Sequence, residues 1–202
     1  QDFFDNTHPL YAGDAGIGIN PKLAARIKSA DVLVLLGTRF SEMESSGYSL
    51  IDIPKPAQHL IHVYPDPDEI GRVYAPELGI AAPAADVIGT LLELPGPNAS
   101  LIDRQTSAAQ CHADYRAWST LPAGRGDLAM AEVMQHLKAT LPEDAIVTNG
   151  AGNYTVWVHR FLNYRKHRTQ LAPISGSMGY GLPAAVAAAR TYPNRQVVCF
   201  AG

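Results

Sequence analysis

Thr169-Gln-Leu-Ala-Pro-Ile-Ser-Gly-Ser-Met-Gly-Tyr-Gly-Leu-Pro-Ala-Ala185 decides how the chain is read. An apolar run, Thr169 to Ile174, meets glycines at 176, 179 and 181, and a small-residue helix is expected from Pro183 to Arg190. Glycine permits left-handed backbone and lets another group touch the main chain. Pro183 suits a first helical turn, where a missing N–H costs nothing. A helix start presents free N–H groups and a partial positive charge. A strand, a glycine turn and a helix start together suit a phosphorylated ligand. The same residues also suit packing alone, because Ala184, Ala185, Ala187, Ala188 and Ala189 would let a helix lie close on a sheet. Met178 is open in the same way. It is either a plug for a gap in the core or a wedge against a bound organic molecule.

Upstream of that stretch the pattern repeats. Met130 to Leu141 spaces Met130, Val133, Met134, Leu137 and Leu141 along one helical face. Asp144-Ala-Ile-Val-Thr-Asn149 reads as a strand, and Gly150-Ala-Gly-Asn-Tyr154 as a second glycine turn before a helix from Thr155 to Leu162. Trp157 and Phe161 read as core residues of that helix. The chain closes on another apolar strand, Val197-Val-Cys-Phe-Ala-Gly202.

The first half has the same grammar. Asn20-Pro21 caps a helix running to Lys28. Asp31-Val-Leu-Val-Leu-Leu-Gly37 is a continuous apolar run ended by glycine, the pattern of a strand buried on both faces. Gln58 to Val63 and Leu78 to Ala82 read as further strands, and Ala85 to Leu94 as a helix. Asp66-Pro-Asp-Glu69 opens a helix by its cap, proline and acidic third position, which accounts for these acids better than metal ligation does. Gly13-Asp-Ala-Gly16-Ile-Gly18 has the order Gly-x-x-Gly-x-Gly with no clear strand before it, so it is a weak dinucleotide loop. Pro95-Gly-Pro-Asn98 and Pro122-Ala-Gly-Arg-Gly126 break the chain on either side of a polar, helical stretch from Ala99 to Leu121.

The fold expected is α/β, with parallel sheets flanked by helices, in two incomplete domains joined by a helical connector. The domains are 1–95 and 128–202, with 96–127 between them. Each sheet is expected to leave an edge or an apolar face uncovered.

Composition narrows the function. The chain has 202 residues, 47% hydrophobic, with a net charge of -3. A charge so near balance, without a long basic run, argues against a nucleic-acid partner. Arg165-Lys-His-Arg168 reads as a short solvated loop. No apolar run is long enough for a membrane span, and Gln1-Asp-Phe-Phe-Asp5, neither basic nor followed by an apolar core, is not expected to be a signal peptide. Cys111 and Cys199 read as unpaired thiols of a cytoplasmic protein. The seven histidines form no metal-ligand spacing, and Ser175 occupies the first glycine position of what would otherwise be a Gly-x-Ser-x-Gly elbow, so a hydrolase triad has no support.

Ser175-Gly-Ser-Met-Gly-Tyr-Gly-Leu-Pro-Ala-Ala185 resembles the pyrophosphate-domain motif of thiamine-diphosphate enzymes of the acetolactate synthase type. The resemblance implies that Met178 is the wedge holding the cofactor's two rings in a V, and that the Gly176 carbonyl accepts from the aminopyrimidine. It puts Ser177 beside them in the cofactor site. It sets Gly152, Asn153 and Tyr154 beside the diphosphate, with asparagine and tyrosine where acetolactate synthases carry glutamine and histidine; both can still donate to phosphate. Gly202 would be the first glycine of a Gly-Asp-Gly signature, whose aspartate and a downstream asparagine bind magnesium. No residue of this chain is thereby a metal ligand or a proton-transfer catalyst. The catalytic glutamate belongs to another domain, supplied by a neighbouring subunit, so the parent enzyme is at least a dimer.

Ala30 to Phe40 and His62-Val-Tyr-Pro-Asp-Pro-Asp-Glu-Ile-Gly-Arg72 resemble the second half of the middle domain of the same enzymes. In acetolactate synthase that domain binds FAD, and the arginine matching Arg39 touches it. Here Ser41-Glu42-Met43 and Tyr64 replace the family's acidic residues and second arginine, which argues against FAD. The implied parent is an enzyme acting on small 2-oxo acids by decarboxylation with carboligation. The chain itself is expected to be an inactive fragment, because it opens without methionine and stops where a strand should turn into a helix. Two other readings stay open: a plain decarboxylase or lyase of the same family, and a non-catalytic nucleotide-binding or assembly module.

Overall fold

The computed structural model describes residues 2–96, 101–123 and 129–202. It separates into two compact units, Asp14–Ser107 and a second made of Gln1–Gly13 with Ala108–Gly202. The breakers at Pro97-Asn98 and Gly124-Arg-Gly126, and the boundary at 127–128, lie outside the described residues.

In the first unit, α1 (Pro21–Lys28) starts where the Asn20 side chain accepts from the Lys22 N–H at 3.0 Å. Strands β1 (Val32–Leu36), β2 (His59–Tyr64) and β3 (Leu78–Ala81) form a parallel sheet in the order β1-β2-β3. Val34 pairs with Ile61 and Ile61 with Leu78. Leu35 and Leu60 bury one face against Phe40, Leu50, Ile51 and Tyr74, with Ala24 and Ile27 of α1 packed on them. The helix α2 (Ala84–Glu93) contacts β2.

The expectation that β1 is buried on both faces is corrected. Alternate residues of a strand point to opposite faces. Leu35 is buried, while Val32, Val34 and Leu36 are exposed, Val34 at 49%. One face is covered and the other is partly bare, open along β1 but closed at Val63 of β2, which is buried. The helix expected after Asp66 is a single 3-10 turn, Pro67–Glu69. Asp66 caps it, but Ile70 is extended and Gly71 has φ 83, so the turn cannot continue.

The helix α3 (Leu101–Trp118) falls within the stretch expected to be helical, Ala99 to Leu121, and the division between the units falls within it. The second unit then holds α4 (Met130–Thr140), β4 (Ile146–Asn149), α5 (Thr155–Phe161), β5 (Gln170–Leu171), α6 (Gly181–Thr191) and β6 (Val197–Phe200). Its sheet is also parallel, in the order β5-β4-β6. All four residues of β4 are buried, as a central strand requires. Met134 of α4, at 0% exposure, packs with Val147, Val158, Phe161, Leu162 and Tyr164, and Trp157 lies against them. Arg160 donates from Nε to the Trp118 carbonyl at 2.7 Å and lies over the Trp118 ring, which fastens the end of α3.

Residues 2–13 belong to this unit. The Asp2 carboxylate accepts from the Thr169 and Gln170 N–H groups. Asn6 exchanges two hydrogen bonds with the Tyr164 backbone, both at 2.9 Å.

Candidate functional site

Parallel strands put all their carboxyl ends on one edge of a sheet. In the second unit, β4 runs into Gly150–Tyr154, β5 into the loop 172–180, and β6 into Ala201-Gly202. The chain passes from β4 to β5 on one side and then to β6 on the other, so the direction of winding reverses at β4. Open α/β sheets bind ligands outside the carboxyl ends at such a reversal.

The glycines of this edge have separate reasons. Gly179 has φ 78 with nothing within 4 Å of a Cβ placed there, so conformation alone selects it; Gly176, φ 67, is the same case. Gly181 is selected by space. A Cβ there would lie 2.7 Å from the Asn149 carbonyl carbon and 2.7 Å from the Gly150 nitrogen. The first residue of α6 therefore rests on the backbone at the end of β4. Thr148 reinforces this by donating its buried hydroxyl to the Gly181 carbonyl at 2.9 Å. The helix begins at Gly181, two residues before the expected start, and Pro183 still falls in the first turn.

Met178 is 87% exposed. It plugs no gap in the core of this chain, which removes one of the two sequence readings. Ser177 lies beside it, its hydroxyl 2.8 Å from that of Ser175. On the neighbouring loop, the Tyr154 ring lies across three glycines. Cβ atoms at Gly152 and Gly202 would each sit 2.8 Å from its Cε1, and one at Gly150 would sit 2.7 Å from its hydroxyl. Gly152, Tyr154 and Gly202 are thus brought together, and Asn153 is exposed at the same turn. Thr155 holds that turn by donating to the Gly152 carbonyl at 2.7 Å. Gly176, Ser177 and Met178 occupy the loop after β5, next to β4 in the sheet.

Sequence reading gave Thr148 and Asn149 no role beyond the strand, whereas Gly150 opens the expected glycine turn. Asn149 is buried, donates to the Gly150 carbonyl, and has Oδ1 3.3 Å from His159 Nε2. The available signal was two polar residues closing an otherwise apolar strand. His159 is a structural partner, as its isolation suggested. Among the described residues no cluster of His, Cys, Asp or Glu side chains could hold a metal ion. Among the described residues no helix is long and apolar enough to cross a membrane. Arg39 lies at the end of β1, with Nε 3.5 Å from Glu69 and its guanidinium over the Tyr64 ring.

Residues 1–91 match the family model described as thiamine pyrophosphate enzyme, central domain, and residues 150–202 match the C-terminal TPP binding domain of the same enzymes. The central-domain match includes residues 1–13, which the structure packs with the second unit. The chain is 30% identical over 224 residues to a sulfoacetaldehyde acetyltransferase of Rhodobacter capsulatus, covering 100% of this chain and 38% of that protein. It is 28% identical over 205 residues to an acetolactate synthase large subunit of Corynebacterium glutamicum, covering 96% of this chain and 31% of that one. The isozyme 1 large subunit of Escherichia coli acetolactate synthase is also 28% identical, over 96% of this chain and 34% of its own length. The chain thus spans about a third of each of these relatives. Two consecutive domain models of one family, met in order on two parallel α/β units, make this chain a member of the thiamine pyrophosphate enzymes.

Proposed function

We propose that the chain is part of an enzyme that decarboxylates a small 2-oxo acid and joins the remainder to a second molecule, as its acetolactate synthase relatives are named for doing. The observation that carries this reading is Met178. It is a long apolar side chain held out from a left-handed glycine loop at the strand ends, with no packing partner to explain it. The bare backbone at Gly176 and Gly179, the open space beside it and the hydroxyl and amide donors of Tyr154, Ser177 and Asn153 fit thiamine diphosphate. Met178 and the Gly176 carbonyl would hold its rings, and Gly152, Asn153, Tyr154 and Gly202 its diphosphate. When bound, the cofactor supplies an electron sink for decarboxylation. The residues of this chain orient it; no residue here is assigned to move a proton. Magnesium would bridge the diphosphate through oxygen ligands, and no residue of this chain is assigned to it. FAD is not part of the reading, since Arg39 is already engaged by Glu69 and Tyr64.

The enzyme is read as a cytoplasmic homo-oligomer, at least a dimer, because the family completes its site across subunits. The 202-residue chain alone is expected to be inactive and to bind the cofactor weakly or not at all.

The test is to supply the full product of the gene with thiamine diphosphate, magnesium and pyruvate. Release of carbon dioxide with formation of a 2-hydroxy-3-oxo acid is the expected result, and Met178→Ala should lower it. Carbon dioxide with an aldehyde and no joined product would assign a plain decarboxylase. Turnover of sulfoacetaldehyde in place of the 2-oxo acid would favour the acetyltransferase relatives. No turnover of any small 2-oxo acid would overturn the reading.

A further inference from the structure

Away from the strand ends, the second unit contains a groove of about 790 Å³. Its walls are α3, α4, the segment at Asn6-Thr7 and Asn163. That volume is within the range of ligand pockets, which run from about 300 to about 1,000 Å³.

Two cations face this space from different helices, Arg116 of α3 and Lys138 of α4. Neither has an ion-pair partner among the described residues. Nearby acids are committed elsewhere. Asp5 accepts from the Thr7 N–H and hydroxyl, Asp114 accepts from Gln110, and Glu143 pairs with Arg165 and Lys166. Desolvation, and then the like charge of Arg116, hold Lys138 below the usual lysine range. Both side chains are exposed at the groove, where an anion between them would meet two positive charges.

The second observation is independent of charge. Ser119, at the end of α3, is 6% exposed, and its hydroxyl has no hydrogen-bond partner. It lines the same groove. Buried hydroxyls are nearly always paired, so an unpaired one needs an explanation. Ser119 stands on the same wall as Arg116, and its oxygen is turned from solvent, so the hydroxyl would meet a bound anion by rotating about χ1.

We infer that this groove is a binding site for a small dianion, a phosphate ester or a dicarboxylate, held by Arg116, Lys138 and the Ser119 hydroxyl. It is distinct from the strand-end crevice in position and in residues. The inference does not depend on the reaction proposed above, and its ligand would be an effector or an anchored substrate group.

Inorganic phosphate and malonate are the probes, titrated at constant ionic strength against the 202-residue chain, with binding read by calorimetry and by the melting temperature. At least one of the two should bind and raise the melting temperature. Arg116→Gln and Lys138→Gln should each weaken it about tenfold or more, because each removes a hydrogen bond to a charged group. Ser119→Ala should weaken it without altering the far-ultraviolet spectrum. Arg39→Gln, in the first unit, should leave it unchanged. Phosphate tighter than malonate would indicate an ester, and the reverse a dicarboxylate. Equal binding by wild type and the Arg116→Gln, Lys138→Gln double variant would overturn the proposal, as would no response to either anion.

Discussion

Gly181 sits where a methyl group would collide with backbone, 2.7 Å from both the Asn149 carbonyl carbon and the Gly150 nitrogen. Backbone cannot rotate aside as a side chain can. Gly181→Ala should therefore destabilise the chain by about 1–3 kcal/mol, the range for overpacking a well-fitted site. Gly89 in α2 is the control, since nothing lies within 4 Å of its missing Cβ. Gly89→Ala should stabilise by about 0.5–1 kcal/mol, through backbone entropy alone. Urea midpoints of the two variants should move in opposite directions. Met178 and Met134 make the same contrast with one residue type. Met134 is wholly buried, so Met134→Ala should cost about 2–5 kcal/mol. Met178→Ala should leave stability nearly unchanged, because its side chain is almost wholly exposed. A large loss of stability at Met178 would mean that it fills a core after all.

At the scale of elements, β2 and β3 are tied on the surface by one titratable link. His59 Nδ1 lies 2.5 Å from Glu77 Oε2. That hydrogen bond first, and the charge of Glu77 second, raise the His59 pKa above its ordinary 6.5. A raised folded pKa means that the folded chain holds the proton more tightly. The link is therefore fully present below pH 6.5 and is lost as pH rises through the raised value. In a proton NMR titration the His59 midpoint should lie above 6.5, and Glu77→Gln should return it to the ordinary value. An unshifted midpoint in the unsubstituted chain would show that the pair does not form. The cap of α1 belongs to the same scale. Asn20→Ala removes the acceptor for the Lys22 N–H and should cost about 1 kcal/mol, read from the thermal midpoint.

For the molecule as a whole, the partly bare face of the first sheet is a dominant feature: Val63 on it is buried, while the residues of β1 are open. Val32, Val34, Leu36 and Leu78 are all exposed, and β1–β3 place them on one face. Contiguous exposed apolar surface drives association. The chain alone should self-associate in a concentration-dependent way, measured by sedimentation. Val34→Thr keeps a β-branched side chain on the strand and should reduce that association with little loss of stability. A chain that stays monomeric at high concentration, with no binding of a hydrophobic dye, would contradict the exposed face.

Much of this was legible along the chain. Asn20-Pro21, the run from Asp31 to Gly37 and the Met130 to Leu141 periodicity set the helices and strands, because capping and hydrophobic period act between near neighbours. Alternation of those elements was enough to require parallel sheets, and the residues from Ser175 to Ala185 were enough to point to the family. Three things were decided only by tertiary structure. Which face of β1 is covered depends on where α1 packs, and no residue within β1 carries that information. The need for Gly181 arises from Asn149 and Gly150, more than thirty positions away, and the Thr148 hydroxyl bond crosses the same gap. The attachment of residues 2–6 to Tyr164, Thr169 and Gln170 joins opposite ends of the chain. Local rules cannot see such pairs, because the interactions that select them form only when distant segments are brought into contact by the fold.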